Sequence, residues 1–321
     1  MRGFAFMAVL LLSLGAGAQE RAPAPVSGFN PTTSSVQEEQ LLGALKQVTG
    51  HVSIPDTKSG VLIQPEGPAW RDYHRSWLPW IAGVTVLGTI AALGSFYAWR
   101  GTVRLQSGFS GVRMPRFGAF ERFMHWVTAT SWLVLAVSGL NVAVGRKVLL
   151  PLIGEEAFSN FSQFAKYAHN FLAFPFTAGV VLMLLVWVRH NIPNRVDLAW
   201  FRQGGGLVGH GHPPAGKFNG GQKAVFWIVV IGGGLLAASG FLLMFPFSLT
   251  DIAGMQTGQV VHGLLALGMI AAMLGHIYIG TLGMEGAFDA MGSGDVDVAW
   301  AKEHHALWVE EEQARARGAA E

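Results

Sequence analysis

Cysteine does not occur in the 321 residues of the chain. Its absence excludes disulfides, Cys-ligated iron–sulfur clusters, thiolate zinc sites and the C-x-x-C-H attachment of a c-type haem. Any metal held by this polypeptide must take histidine or oxygen ligands. Charge is scarce as well: Asp, Glu, Lys and Arg make up 13% of the residues against 51% hydrophobic, too few for an ordinary soluble globule. A formal net charge of +2 is too small to suggest a nucleic-acid partner, so the basic residues carry information by position.

The composition points to membrane lipid as the solvent, and the N-terminus agrees. MRGFAFMAVLLLSLGAGAQE begins with Arg2, continues as an apolar run and ends in Ala16-Gly17-Ala18, the three parts of a secretory signal peptide cleaved after Ala18. An uncleaved anchor is the competing reading, although the run is shorter than the ~20 residues that span a bilayer. Residues 19–76, rich in Pro, Ser, Thr, Gln and Gly without a sustained period, are expected to be an irregular exported extension. Its end, AWRDYHRSW, has the aromatic and basic residues of a membrane interface.

Five stretches are long and apolar enough to cross: about 77–99, 123–145, 167–188, 224–247 and 257–283. In lipid each must be helical, because a spanning segment has to satisfy its own backbone hydrogen bonds. The expected fold is therefore an all-α integral membrane bundle of five transmembrane helices: an extra helix at 77–99, a four-helix core within 113–283 and a C-terminal tail over 284–321. Gly232-Gly233-Gly234 would let a neighbouring helix or a flat cofactor come close.

Orientation follows from the loops. The connection 100–122 carries Arg100, Arg104, Arg113, Arg116 and Arg122, and 189–223 carries Arg189, Arg195, Arg202, Lys217 and Lys223. The alternate connections hold Arg146, Lys147 and Lys166 between them, so the positive-inside rule puts the first two in the cytoplasm, with the mature N-terminus outside and the tail inside. Arg71 and Arg75 beside the first span run against that bias.

Four histidines fall inside the spans. His262 and His276 are separated by thirteen residues without charge; in a helix fourteen positions advance about 21 Å and return to within roughly 40° of the starting direction. They share one face, near opposite sides of the bilayer. His125 begins the second span at the depth of His276, and His169 begins the third at the depth of His262. Two imidazoles facing each other across a gap are what six-coordinate haem iron needs. Helix-to-helix hydrogen bonding, a bare metal or a proton relay are the alternatives; zinc would want four ligands, and a relay would recruit carboxylates that the spans almost entirely lack. Gly139, fourteen residues after His125, faces the outer level, either to make room for a porphyrin or for close packing. His51, His74, His190, His210 and His212 read as surface or structural residues, and His304 and His305 as partner contacts or local caps.

The segments ERFMHW around His125, HNF at 169–171, HNIP at 190–193 with Asp197 and Trp200, KFNGGQK at 217–223, the His262/His276 couple and WAKEHHALW at 300–308 together resemble the cytochrome b (gamma) subunit of membrane-bound respiratory formate dehydrogenase, over about residues 113–310. The signal peptide, exported extension and first span mark an N-terminally extended type. The resemblance implies two b-type haems, the outer on His169 and His262 and the inner on His125 and His276. It also implies a quinone site beside the inner haem involving Asn219 and Gly221, with Gln222 as neighbour. An amide and an exposed backbone N–H bind a quinone carbonyl without burying a charge, although Asn-Gly-Gly also makes a tight turn before a helix. Arg122, one turn before His125, would pair with a haem propionate or face lipid headgroups.

The implied partners are an iron–sulfur beta subunit and a molybdenum- or tungsten-containing catalytic alpha subunit, both exported, and the quinone pool, in a bacterial inner membrane. The subunit would pass electrons to quinone and anchor the complex. Competing readings are the cytochrome b subunit of a nickel–iron hydrogenase or a thiosulfate or sulfur reductase, a haem-free channel or transporter, and a plain membrane anchor.

Overall fold

The computed structural model describes residues 64, 66–206 and 213–319. The signal peptide, its cleavage site, nearly all of the exported extension, and His51, His210 and His212 lie outside the described residues.

Among the described residues five helices are long and apolar enough to cross a membrane: α1 (Gly67–Arg100), α2 (Ala119–Val148), α3 (Glu155–His190), α5 (Gly220–Met244) and α6 (Ile252–Gly283), with the short α4 (Arg195–Arg202) between α3 and α5. The chain is an integral membrane helical bundle. α1 starts earlier than hydropathy suggests, because Pro68 sits in its first turn, where a missing N–H costs nothing, and a π-turn at Tyr73–Trp77 carries the interfacial aromatics into the span. α3 likewise begins twelve residues before the apolar run at 167, with Glu155 and Glu156 in its first turn, where carboxylates oppose the positive end of the helix dipole.

Local chemistry sets the other starts. Glu121 accepts the Gly118 N–H at 2.9 Å ahead of α2. Asp251 accepts the Gly254 N–H at 2.9 Å at the start of α6. Asn219 and Gln222 close a reciprocal capping box on α5, each side chain accepting the other's backbone N–H, at 2.9 and 3.0 Å.

α2 lies along α3 and α5 along α6, and the two hairpins meet through α3 and α5. α1 adds to the outside of α6, where Leu78 and Ala82 pack on Leu267 and Ile270. Its other face keeps Trp80 74%, Leu87 68% and Trp99 71% exposed, as a lipid-facing surface does. Two of the three consecutive glycines take part in helix packing: a Cβ on Gly232 would meet Met269 at 2.9 Å, and one on Gly233 would meet Val180 at 3.1 Å, while Gly234 faces open space.

The largest apolar core among the described residues sits at the end of the bundle that carries the connections at 101–118, 191–206 and 213–219. The chain after α6 folds back over that end. Strands β1 (Arg113–Pro115) and β2 (Asp295–Asp297) pair antiparallel with Met114 opposite Val296, and helices α7 (Val298–His304) and α8 (Ala306–Gly318) follow. Asp297 accepts backbone N–H groups of Ser110, Gly111 and Ala299 at 2.8–3.1 Å. Burial alone would raise its carboxyl, but these donors and the Ser110 hydroxyl hold it below the ordinary range.

Candidate functional site

Two pairs of imidazoles meet inside the bundle. The ring centres of His125 on α2 and His276 on α6 lie 6.2 Å apart, and those of His169 on α3 and His262 on α6 are also 6.2 Å apart. The α-helical part of α6 runs without interruption from Ile252 to Tyr278, so the two pairs stand on one rod about 21 Å apart along its axis. Among the described residues no third His, Asp or Glu joins either pair to form a metal-ion cluster.

That separation tests a specific ligand. Metal–imidazole bonds are about 2 Å, and a ring centre lies about 1.1 Å behind its nitrogen, so two imidazoles in line on one iron hold their centres roughly 6 Å apart. Both pairs fit a bis-histidine haem, and this sharing of α6 is what the fourteen-residue interval encodes.

The surroundings of the pairs differ. His169 Nδ1 lies 2.8 Å from Ser138 Oγ, and His262 Nδ1 lies 2.9 Å from Ser239 Oγ. Each serine is followed by a glycine that faces the same ring: a Cβ on Gly139 would meet His169 Cε1 at 3.5 Å, and one on Gly240 would meet His262 Cε1 at 3.3 Å. Gly139 is thus at the level of the His169/His262 pair, as its spacing from His125 required. At the other pair, His125 Nδ1 is buried without a hydrogen-bond partner among the described residues.

Sequence reasoning passed over Ser138, Ser239 and Gly240, although a signal existed. LAVSGL from Leu135 and LAASGF from Leu236 are near-copies, and each is followed by its histidine in a further matching string, HNFLA from His169 and HGLLA from His262. The two hairpins carry one repeated unit, with a longer connection in the first.

The remaining candidates gather at the loop-rich end. Asn219 Oδ1 and Gln222 Oε1 are engaged in the capping box that starts α5. Gly221 and Gly220 lie against the Trp200 indole, where a Cβ would come within 2.9 and 3.0 Å of the ring. Lys223 Nζ donates to Asp197 Oδ2 at 2.9 Å and to the Ile192 carbonyl at 3.2 Å, and Trp227 Nε1 donates to the Asn191 carbonyl at 2.9 Å. Arg122 donates through Nη1 to the carbonyls of Gly292 and Ser293, which ties α2 to the turn before β2, while its Nε is buried without a partner among the described residues.

Glu121 links the motifs together. Its Oε1 accepts Trp187 Nε1 at 2.7 Å and Lys217 Nζ at 2.9 Å. The WAKEHHALW segment also turns inward: His305 is fully buried, with its Nδ1 donating to the Gly216 carbonyl at 2.8 Å and its Nε2 facing Arg116 Nη2 at 3.0 Å. Arg116 also donates to the Lys217 carbonyl at 2.6 Å, and its guanidinium carbon lies 4.8 Å from the Trp308 ring centre. Burial lowers Arg116 to about 9, with Glu121 opposing, so it stays cationic at neutral pH. Burial, and then Arg116 itself, pushes His305 well below the ordinary histidine value. His305 is a neutral acceptor inside the fold, where the sequence suggested a partner contact or a cap.

A family model described as prokaryotic cytochrome b561 matches residues 116–294, the stretch that contains all four intramembrane histidines. The chain belongs to that family. Among curated relatives, it is 32% identical over 200 residues to the formate dehydrogenase cytochrome b556(fdo) subunit of Escherichia coli (strain K12), covering 61% of this chain and 92% of that one. It is 27% identical over 203 residues to the nitrate-inducible formate dehydrogenase cytochrome b556(Fdn) subunit of the same strain, covering 61% and 91%. It is 31% identical over 159 residues to the formate dehydrogenase cytochrome b556 subunit of Haemophilus influenzae, covering 47% and 65%. A prokaryotic cytochrome b561 is a b-type haem protein of electron transport, and these relatives are subunits of an oxidoreductase complex.

Proposed function

We infer that this chain is the di-haem membrane subunit of a formate dehydrogenase, carrying electrons from an exported iron–sulfur partner subunit to quinone on the cytoplasmic side and anchoring the complex. The observation that carries this reading is the equal 6.2 Å separation within two histidine pairs that each take one member from a single continuous helix, together with relatives named as formate dehydrogenase cytochrome b556 subunits.

His169 and His262 would hold the outer haem, and His125 and His276 the inner one. When bound, the haems supply reversible one-electron chemistry at iron. The chain's own groups do the rest. α6 fixes the distance between the two ligand levels, Gly139 and Gly240 leave the rings of His169 and His262 uncrowded, and Ser138 and Ser239 orient them. Arg122 Nε, buried without a partner among the described residues, would donate to a propionate. The segment Asn219–Gln222 forms the quinone site at the mouth of α5, with the Asn219 amide N–H groups as donors to a quinone carbonyl; its Oδ1 is occupied in the cap.

Orientation comes from charge. The arginine-rich connections and the folded C-terminal segment lie in the cytoplasm, and the His169/His262 level faces the exported partners, an iron–sulfur beta subunit and a molybdenum or tungsten alpha subunit. Protons for quinone reduction are then drawn from the cytoplasm, so turnover builds membrane potential.

Purification of the chain from its native membrane, with the subunits that accompany it, tests the reading. Formate-dependent reduction of a quinone analogue in that preparation is expected. A preparation in which the chain accompanies a nickel–iron hydrogenase or a sulfur-compound reductase, and formate reduces nothing, would contradict it.

A further inference from the structure

The two serines facing the outer pair do more than fill space. Ser138 Oγ donates its own proton to the Val134 carbonyl at 2.6 Å, and Ser239 Oγ to the Leu235 carbonyl at 2.8 Å, one turn back in each helix. With its hydrogen spent there, each hydroxyl presents a lone pair to the imidazole, so His169 and His262 must be the donors through Nδ1–H. That fixes the tautomer of both rings and leaves Nε2 as the basic nitrogen. A chain from imidazole N–H to hydroxyl to carbonyl also polarises along its length, and an acceptor on the far nitrogen makes an imidazole a stronger ligand.

We propose that Ser138 and Ser239 are positioning residues that hold the outer haem's midpoint potential down by strengthening both of its axial histidines, a setting that the inner pair does not share. Stronger donation favours ferric over ferrous iron in a one-electron couple. The two levels are asymmetric: both outer ligands have a serine acceptor, while His125 at the inner pair has a buried Nδ1 with no partner among the described residues. The serines occur at the same place in the repeated strings LAVSGL and LAASGF, and each faces a different ligand of the same pair. A duplicated contact of that kind acts on the iron from both sides. The functional consequence is a downhill step from the outer to the inner level, which helps electrons move inward against the membrane potential. The inference rests on the di-haem reading above.

The test is a redox titration of the whole purified complex, followed by visible absorption, with the two components assigned by the His262→Ala and His276→Ala variants. Ser239→Ala should leave two haems per chain and move only the outer component, shifting its ferric-to-ferrous ratio at fixed ambient potential roughly fivefold toward ferrous, as the loss of one hydrogen bond does. Ser138→Ala should do the same, and the double variant should add the two effects. Ser239→Thr, which keeps a hydroxyl at a half-buried position, should restore the wild-type value. If the tightly packed Ser138→Ala variant does not assemble, the Ser239 series decides alone. Two haems whose potentials ignore Ser239, or that shift together, would overturn this inference while sparing the di-haem reading. A wild-type complex without a second haem in this chain would overturn both.

Discussion

Lys223 Nζ lies 2.9 Å from Asp197 Oδ2, and the two side chains keep only 8% and 12% of their surface exposed. The pair fastens the first turn of α5 to α4, and Asp197 also accepts the Asn194 N–H at 2.7 Å as part of the cap on α4. Removing one partner of a buried pair leaves an uncompensated charge, which costs about 3–5 kcal/mol. Lys223→Met is therefore expected to lower the thermal unfolding midpoint of the detergent-solubilised protein clearly, while a surface change such as Arg315→Gln, whose ion pair is exposed, should have little effect.

The quinone role of Asn219 can be separated from its structural one. Asn219→Asp keeps an oxygen that accepts the Gln222 N–H but removes the amide donors. Haem content and stability should stay near wild type, and quinone reduction should fall, with the loss seen in KM for quinone as well as in kcat. Asn219→Ala also removes the cap and should cost about 1 kcal/mol more stability. Unchanged quinone kinetics in Asn219→Asp would leave the residue only its helix-starting role.

A side chain added at Gly139 probes the space beside the outer pair. A Cβ alone would make ordinary contact with His169, so Gly139→Ala should be tolerated. Gly139→Leu extends past that contact and should lose the outer haem selectively. Unchanged haem content and spectra in the Leu variant would assign the glycine to helix packing.

His305 makes the folded state sensitive to acid. Its imidazole is held well below the ordinary value by burial and by Arg116, whereas in the unfolded chain it titrates near 6.5. Below about pH 6.5 the unfolded chain takes up a proton that the folded one refuses, so stability falls as pH drops. Thermal melts across this range should show that loss, and His305→Gln, which can still accept from Arg116 and donate to Gly216, should show less of it.

Much of the architecture was legible because lipid imposes simple rules: apolar length gave the five crossings, and the fourteen-residue interval on α6 gave two imidazole levels to which His125 and His169 could be matched by depth. The meeting of His125 with His276 and of His169 with His262 follows from that matching. The helix starts were harder, since Pro68 and Glu155 extend α1 and α3 into polar sequence that hydropathy ignores. The cap over the loop-rich end was not legible. Arg116 reaches His305 across 189 positions of sequence, and no local period reports such a contact. Ser138 and Ser239 were hidden differently: serine is common between packed membrane helices, and only comparison of the two hairpins singles them out.

Haem quantitation with a dithionite-reduced spectrum, on the wild type and on the His262→Ala and His276→Ala variants, bears most directly on the two-level arrangement. Two b-type haems per chain are expected in the wild type, with each variant keeping one and the two variants losing spectrally different ones. A single haem in the wild type, or the same loss in both variants, would contradict it.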